Sequence, residues 1–553
     1  MKDIKEWFRS GSPWVWLSGG AVSISVLAVI GLLLLIAMRG LGHFWPTAVL
    51  QADWIQPDGS TKRLIGETHD VEQVAAGRLR QAGINFDDKQ LTITRYVMKT
   101  GNRDVQGADF ASIIGPHIRN KTYPADIMVF ERREWGDLYG YLKEVRTDGQ
   151  AVAAGAAAHV QLAERLQGVM TLFDQIRDVE KNAIGEINYN IERLRLKERS
   201  LELENKLGAE QQAELAQQRQ ALQKDYAGLQ QKLSDLHAAI ERDSVTVEVM
   251  GGQVVEVPLA KVVRHYQPNA MSWLDKMVFY VSKLWEFVSD EPREANTEGG
   301  IFPAIFGTVM LVILMAIIVT PFGVIAAVYL REYAKQGPLT RTIRVAVNNL
   351  AGVPAIVYGV FGLGFFVYFL GGNIDSLFFP ESSPTPVFGT PGILWSALTL
   401  ALLTLPVVIV STEEGLARIP RSIREGSLAL GATKAETLWR TVLPMASPAM
   451  MTGLILAVAR AAGEVAPLML VGVVKLAPSL PLDGNFPFLH AERKFMHLGF
   501  HIYDVGFQSP NVEAARPLVY ATALLLVIVI VTLNLAAISI RNRLREKYRT
   551  LES

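Results

Sequence analysis

Residues 425–444 read EGSLALGATKAETLWRTVLP, and this polar stretch lies between two long apolar runs. Glu425 opens it, Gly431 follows six residues later, and Leu443-Pro444 close it. The spacing predicts a short helix, a turn at Gly431-Ala432 and a second helix, because glycine permits the left-handed backbone of a tight turn. Pro444 is expected at the start of the next helix. Such a compact element can dock in a groove of another protein as a rigid lever.

The apolar runs along the chain are long enough to cross a membrane. A helix of about 20 apolar residues spans a hydrocarbon core of about 30 Å, whereas a helix of a soluble protein carries a polar stripe. The first run could instead be a cleaved secretory signal, but it is long for one and lacks a small-residue cleavage site before Arg39. We therefore predict an all-α membrane protein whose six transmembrane helices cover 14–38, 301–330, 345–372, 393–411, 449–474 and 518–540.

Lysine and arginine near the apolar runs predict the orientation, because cytoplasmic loops carry an excess of both. The segments 1–13, 331–344, 412–447 and 541–553 are rich in these residues, and the loop 373–392 has neither. The loop 475–516 has four, so the contrast there is weaker. Both termini are therefore expected in the cytoplasm, with residues 39–300 on the opposite side of the membrane.

The large insert divides by pattern into three parts. Residues 44–157 mix short β-like runs with turn residues and predict an α+β domain. Residues 158–243 lack proline and repeat leucine every seven residues from Leu215 to Leu236, which predicts a coiled coil folded into an antiparallel hairpin at Gly208. One long helix that pairs with another chain is the alternative. Such a coiled coil can be a docking arm or a rigid spacer. Residues 244–300 predict returning strands, a helix lying on the membrane face and a linker.

Composition excludes several classes of function. The 553 residues include no cysteine, which rules out a disulfide scaffold, a thiolate metal site and a cysteine nucleophile. The formal net charge is zero, which argues against a binder of nucleic acid. No phosphate-binding loop with a Gly-Lys pair occurs, so ATP is expected to act through a partner.

The stretch 425–444 resembles the signature loop of the membrane subunits of binding-protein-dependent ABC importers, which have the type I fold. Their pattern is E-A-A-x3-G-x9-I-x-L-P, and this chain keeps Glu425, Gly431, Leu443 and Pro444. It departs at Gly426-Ser427, where the family prefers alanine, and at Thr441, where isoleucine is usual. The resemblance identifies the loop, including Ala432, as the contact with an ATPase subunit.

Residues 459–468 read ARAAGEVAPL and resemble the A-R-x-x-G-E-T-A-P-L segment of the phosphate permeases of this family. Arg460 and Glu464 are four residues apart, so on a continuous helix they share a face. Charges at membrane depth are costly and normally face a cavity or a partner. We therefore predict that both line the substrate path, with Arg460 bonding phosphate oxygens and Glu464 holding the arginine. A pair that only anchors helices is the alternative.

The resemblance implies a permease subunit for inorganic phosphate that is not itself an enzyme. Its expected partners are a sister permease, a dimer of ATPase subunits that hold ATP and magnesium, a periplasmic phosphate-binding protein and membrane lipid. No cofactor or metal is expected on this chain. Two alternatives stay open: a permease for sulfate or molybdate, and a membrane-anchored coiled-coil sensor of phosphate signalling.

Two further groups of polar residues receive no functional role from the sequence. His497 and His501 are four residues apart, but in an external loop they are expected to be surface histidines. Glu413 and Glu414 are expected to be a charged helix end near Arg418 and Arg421.

Overall fold

A computed structural model describes residues 10–56, 59–81, 91–509 and 512–549. Most of the segment 1–13 and the end of the tail 541–553, both predicted to be cytoplasmic, lie outside these residues. The chain forms two compact units. The membrane unit comprises Met1–Phe44, Val288–Glu291 and Ile301–Ser553, and the insert unit comprises Trp45–Phe287 and Pro292–Gly300.

The membrane unit is built from helices, six of which are long and apolar enough to cross a membrane, as predicted. Their apolar side chains pack into a core that includes Leu311, Met315, Leu400 and Ala461. Wide π turns at 362–371 and 438–442 join helices end to end, and those at 329–333 and 504–508 extend the ends of helices. The helices are α1 Ser12–Gly42, α8 Phe302–Val328, α9 Pro338–Leu350, α10 Ala355–Phe361, α11 Gly372–Phe378, α12 Ile393–Arg418, α13 Arg421–Ala429, α14 Lys434–Thr437, α15 Leu443–Gly463, α16 Leu468–Val471, α17 Leu498–Tyr503 and α18 Val512–Arg549.

The third predicted span is displaced along the chain. The apolar run 345–372 does not form one helix, because α9 ends at Leu350 and a new helix starts at Ala355. Pro354 explains the break, since its missing N–H and its ring prevent a helix from continuing through it. The membrane-crossing helix therefore covers Ala355–Phe378, and α9 is a separate helix that carries Arg341 and Arg344.

The fifth predicted span, 449–474, also needs correction at both ends. The helical chain begins at Lys434, passes through the π turn at 438–442 and ends at Gly463. Pro444 therefore lies inside a continuous helical segment, where the π turn accommodates the backbone bond that proline cannot make. At the other end, Glu464 has an extended backbone with ψ of 129°, and only the four-residue α16 follows.

Among the described residues, the insert unit contains three antiparallel sheets. One has the strand order β4-β3-β2-β1-β5, one has the order β10-β9-β7-β6-β11 with β8 also paired to β7, and the third is the short pair β12-β13. Strand β9 pairs with β7, and strand β11 pairs with β6. In the chain, β9 and β11 follow the long helices of the insert, whereas β6 and β7 precede them. The strands are β1 Val49–Ile55, β2 Thr61–Ala75, β3 Thr92–Lys99, β4 Phe110–Ile114, β5 Ile118–Thr122, β6 Met128–Arg132, β7 Leu138–Thr147, β8 Gln150–Ala154, β9 Asp243–Glu248, β10 Val254–Pro258, β11 Val262–Tyr266, β12 Pro292–Arg293 and β13 Glu298–Gly299.

Six α-helices complete the described part of the insert unit. They are α2 Ala76–Gln81, α3 Arg103–Gln106, α4 Ala156–Asp178, α5 Ile184–Leu203, α6 Ala209–Glu241 and α7 Trp273–Ser289. α4 and α5 are continuous through a π turn at 179–183, and α6 returns beside them. The segment between α5 and α6 turns at Asn205, whose φ is 55°, and the Gln211 side chain accepts the Gly208 N–H at 3.0 Å. The result is an antiparallel helical hairpin.

Candidate functional site

Arg460 and Glu464 meet at the end of a helix rather than on one helix face. Arg460 lies in the last turn of α15, and Glu464 follows the final helical residue, with its N–H donating to Ala461 O at 3.2 Å. The predicted shared face is therefore wrong, because the helix ends between the two residues. Their side chains still pair, with Arg460 Nε 3.4 Å from Glu464 Oε1. The arginine side chain is 33% exposed and that of the glutamate 24%.

The chain that follows this break is packed closely by neighbouring helices. A Cβ on Gly359 would lie 2.7 Å from Pro467 Cα, and one on Gly362 would lie 3.0 Å from Val471 Cγ1. Glycine is therefore required for α10 and the π turn after it to approach this segment. Irregular backbone within a membrane protein is tolerated where it is buried in protein or lines a water-filled cavity. The irregular backbone at Glu464 is buried in protein on the side of Gly359.

The position of Arg460 at the end of α15 stabilises its positive charge and allows its N–H groups to bind a ligand. Carbonyl groups at the end of a helix carry partial negative charge, so a cation in the last turn is stabilised. Arg460 offers five N–H donors, and one ion pair with Glu464 leaves others for an additional ligand. A guanidinium in this setting can bind an oxyanion through two N–H groups at once.

The loop between α12 and α15 has the predicted turn at Gly431. Its φ of 89° lies in the left-handed region that glycine favours. Thr433 caps the helix that follows, since its Oγ1 accepts the Glu436 N–H and the Glu436 carboxylate accepts the Thr433 N–H. The second helix then continues through Leu443 and Pro444 into α15 without a break. Turn and cap together give the loop a fixed shape.

Internal polar contacts hold α13 against the rest of the membrane unit. Arg424 donates to Glu332 Oε1 at 2.8 Å, to Ile419 O at 2.7 Å and to Leu416 O at 2.9 Å. Ser427 Oγ and Thr437 Oγ1 are 2.9 Å apart and join the two arms of the loop. Sequence reasoning missed Glu332 and Arg424. The signal was available in the charged residues that follow the second span, but the pairing depends on the fold.

A second missed ion pair lies nearby. Glu413 pairs with Arg344 of α9, with Arg344 Nε 3.1 Å from Glu413 Oε1. Glu413 and Glu414 lie near the end of α12 at Arg418, as expected, and the ion-pair partner of Glu413 is a residue about 70 positions earlier in the chain. This pair and Lys434, which donates to Glu332 O at 2.5 Å, connect the loop to the chain after the second span.

The outward side of the loop combines apolar and acidic groups. Glu425 and Leu428 are exposed, Leu430 is 92% exposed and Trp439 is 73% exposed. Ala432, Leu443 and Pro444 are partly buried and shape the loop from within. Exposed large apolar side chains beside a rigid turn are typical of a protein contact.

The two histidines predicted on the surface are buried. His497 has no exposed surface and His501 has 2%. The reason is that the external loop folds back into the unit, where Thr308 Oγ1 accepts the Leu498 N–H at 2.9 Å. Burial lowers the pKa of both imidazoles to about 4, so both are neutral at pH 7. His497 Nδ1 accepts the Gly499 N–H at 3.1 Å, which gives this residue a role in capping α17.

Comparisons with known proteins match this geometry to one family. The sequence profile of the binding-protein-dependent transport system inner membrane component family matches residues 319–550. A relative from Mycobacterium tuberculosis, "Phosphate transport system permease protein PstA 1", is 36% identical over 247 residues, which cover 44% of this chain and 71% of the relative. A relative from Xylella fastidiosa, "Phosphate transport system permease protein PstC", is 28% identical over 39% of this chain and 69% of its own length.

A solved structure of the MetNI methionine ABC transporter aligns with 48% of this chain and 98% of its own, with 19% identity and a TM-score of 0.32. The profile match contains the loop 412–447 and the Arg460–Glu464 pair, and four of the six long apolar helices lie wholly inside it. This chain belongs to the binding-protein-dependent transport system inner membrane component family and is a multi-pass membrane permease subunit of an ABC importer.

Proposed function

We propose that this permease subunit carries inorganic phosphate across the bacterial inner membrane. Both termini are in the cytoplasm and the insert unit is in the periplasm. A PstC-like sister permease completes the path, a PstB-like ATPase dimer holds ATP and magnesium, and a PstS-like protein delivers phosphate from the periplasm. This chain binds no cofactor of its own. The observation that carries the proposal is the Arg460–Glu464 pair at the end of α15.

The helix break gives this pair a role that a buried anchoring pair lacks. A third of the Arg460 side chain is accessible, and its ion pair with Glu464 among the described residues uses Nε, so that its other N–H groups can bind a ligand. Phosphate at neutral pH carries negative charge and also keeps a proton. Its oxygens accept from the guanidinium, and its hydroxyl can donate to the Glu464 carboxylate. Sulfate has no such proton at neutral pH, so the carboxylate repels it. The pair therefore favours phosphate over sulfate.

The loop 412–447 transmits the movement of the ATPase. Its exposed Glu425, Leu430 and Trp439 contact the ATPase, and the internal pair Arg424–Glu332 makes the loop move as one body with the helices. Nucleotide binding then shifts the population of the permease from outward to inward access.

The hairpin of the insert unit forms a coiled coil in this proposal. The ion pair of Arg219 with Glu198 and the 3.7 Å approach of His237 Nε2 to Glu180 Oε1 fix antiparallel pairing of the two arms. Uptake by a chain that lacks 160–243 separates a docking arm from a spacer, because only a docking arm is needed for capture of the phosphate-binding protein.

The proposal is tested by phosphate uptake into proteoliposomes that contain all four kinds of subunit. Arg460→Gln should lower uptake at least 100-fold, because a neutral amide loses the charge-assisted bonds. Arg460→Lys should retain part of the activity. Arg516→Gln, which removes an exposed arginine of the same unit, is the matched control and should leave uptake unchanged.

Selectivity gives an independent readout. Glu464→Gln should weaken the preference for phosphate over sulfate in a competition assay, since the repulsion of sulfate is lost. Wild-type uptake by Arg460→Gln at normal membrane levels would contradict the assigned path. Sulfate that competes equally well with the unaltered protein would contradict phosphate as the substrate.

A further inference from the structure

Helix α7 of the insert unit has its polar and apolar sides reversed with respect to an ordinary surface helix. A helix on a soluble domain buries its apolar stripe and exposes its charges. In α7 the charged Glu286 is buried, at 7% exposure, while Trp273 and Trp285 are 70% and 71% exposed. This inversion means that the apolar side has a partner outside the insert unit.

The inward side of α7 is fixed by ion pairs. The Glu286 carboxylate accepts from Arg293 at 2.8 Å and lies 3.1 Å from both Lys283 and Arg264. Lys283 also donates to Glu131 of β6 at 2.5 Å. Because these bonds tie α7 to strands β6 and β11, the helix cannot rotate to bury its apolar side.

The outward side is a continuous apolar stripe. Its members lie within one half of the helix circumference, as the 3.6-residue period requires. Each has more than half of its surface exposed, and the stripe consists of Trp273, Leu274, Val278, Val281 and Trp285. Tryptophan at both ends of such a stripe is typical of helices that lie at the boundary between lipid headgroups and acyl chains.

The connectivity of the chain identifies the partner as the bilayer. Tyr280 of α7 packs against Trp45, with ring centroids 5.8 Å apart. Trp45 follows the last residue of the membrane-spanning α1, Gly42, by three positions, and three residues reach at most about 10 Å. A helix in contact with Trp45 is therefore held near the membrane surface. We propose that the stripe of α7 lies in the outer interface of the lipid bilayer and anchors the insert unit there.

The absence of cysteine from the sequence allows a direct test with the full-length protein. Val281→Cys, at the centre of the stripe, and Lys276→Cys, partly exposed on another side of the same helix, each receive one nitroxide label. The labelled chains are placed in phosphatidylcholine nanodiscs. Collision rates with oxygen, which concentrates in lipid, and with a water-soluble nickel complex are measured by electron paramagnetic resonance. The ratio of oxygen to nickel collisions should be at least fivefold higher at 281 than at 276.

Three results would overturn the proposal. Equal ratios at 281 and 276 would show that the stripe is in water. Protection of 281 from both reagents, with spin–spin broadening, would show that a second copy covers it. Protection that arises only when a binding protein or sister subunit is added would show a protein partner. Val278→Cys repeats the test one turn away, in case the label at 281 disturbs the helix.

Discussion

The membrane unit and the insert unit use charged side chains in opposite ways. In the membrane unit, ion pairs lie where helices end or the chain turns, as in Arg460–Glu464 and Arg424–Glu332. In the insert unit, ion pairs are packed inside the domain, where Arg132 is 3% exposed and holds Asp104 with two bonds. The difference suggests that loss of a charge should impair transport in the first unit and stability in the second.

A physical reason underlies this difference. Lipid does not solvate a charge, so a membrane-spanning helix keeps charges only where they meet a partner, a cavity or an aqueous end. Strand β6 of the insert unit is buried along its whole length, and a charge buried there must be neutralised within the domain. Glu286 with its three cationic neighbours is an example of such internal neutralisation.

The largest expected effect is the loss of stability in the insert unit after Glu286→Gln. The change keeps the shape of the side chain but leaves Lys283, Arg264 and Arg293 close together without their common anion. Removal of one partner from a buried ion pair costs about 3–5 kcal/mol. Hydrogen exchange of β6 and β11 in the full chain should therefore become faster, while the helices of the membrane unit keep their protection.

The matched control is Glu204→Gln, which breaks an exposed pair with Lys206 in the same unit. An exposed ion pair contributes little, so exchange should be unchanged. Equal exchange rates for Glu286→Gln and the control would show that the buried ion pairs do not stabilise the domain, and the contrast between the units would fail.

Glu425→Lys should have the next largest effect, and on transport rather than on folding. Glu425 is exposed at the outward side of the loop, so the substitution leaves the internal contacts of Arg424 and Ser427 intact. A reversed charge at the proposed contact with the ATPase should reduce uptake at least tenfold, which corresponds to about 1.4 kcal/mol. Uptake and ATP hydrolysis are measured together in proteoliposomes.

Hydrolysis that no longer depends on transport would support the role of the loop. Ser422→Lys introduces the same side chain at an exposed position on the same short helix and is the control. Normal uptake and normal coupling in Glu425→Lys would remove the loop from the proposal. Unfolding of the membrane unit by this exposed substitution would contradict the comparison between the two units.

The sequence could predict the six apolar helices because each is specified locally by a long run of apolar residues with few charges. It could not predict where two of them end. The break before Ala355 and the break after Gly463 depend on single prolines and glycines inside apolar runs, such as Pro354, and on the close packing of Gly359 against Pro467. Helix ends of this kind are decided by tertiary contacts.

The contact partners of the site residues were even harder to predict from the sequence than the helix ends. Glu464 was identified from its local motif, yet its position beyond the helix end was not. Glu332 and Arg424 are 92 positions apart, and His497 becomes buried only because its loop returns to Thr308. A single sequence shows which residues carry chemistry, but long-range pairing requires the folded chain.

The smallest expected effect is on the pH dependence of the stability of the insert unit. Burial raises the pKa of Glu67 to about 7, outweighing the attraction of the nearby Lys99 ammonium. Between its unfolded value of 4.5 and about 7, the folded chain therefore holds a proton that the unfolded chain has released. The contribution of Glu67 to stability is present in full at low pH and falls as pH rises through this window.

Glu67→Gln should remove this contribution to the pH dependence. The free energy of unfolding of the insert unit, measured by hydrogen exchange at pH 5 and pH 8, should fall less in the variant than in the unaltered protein, by on the order of 1 kcal/mol. The difference between the two proteins isolates Glu67, because Glu298, whose pKa burial raises to about 8, and His265, whose pKa burial lowers, contribute to both. Identical pH profiles would show that Glu67 is solvated as in the unfolded chain. The charged groups of the insert unit would then be more exposed to water than the Arg460–Glu464 pair. That result would reverse the difference between the two units.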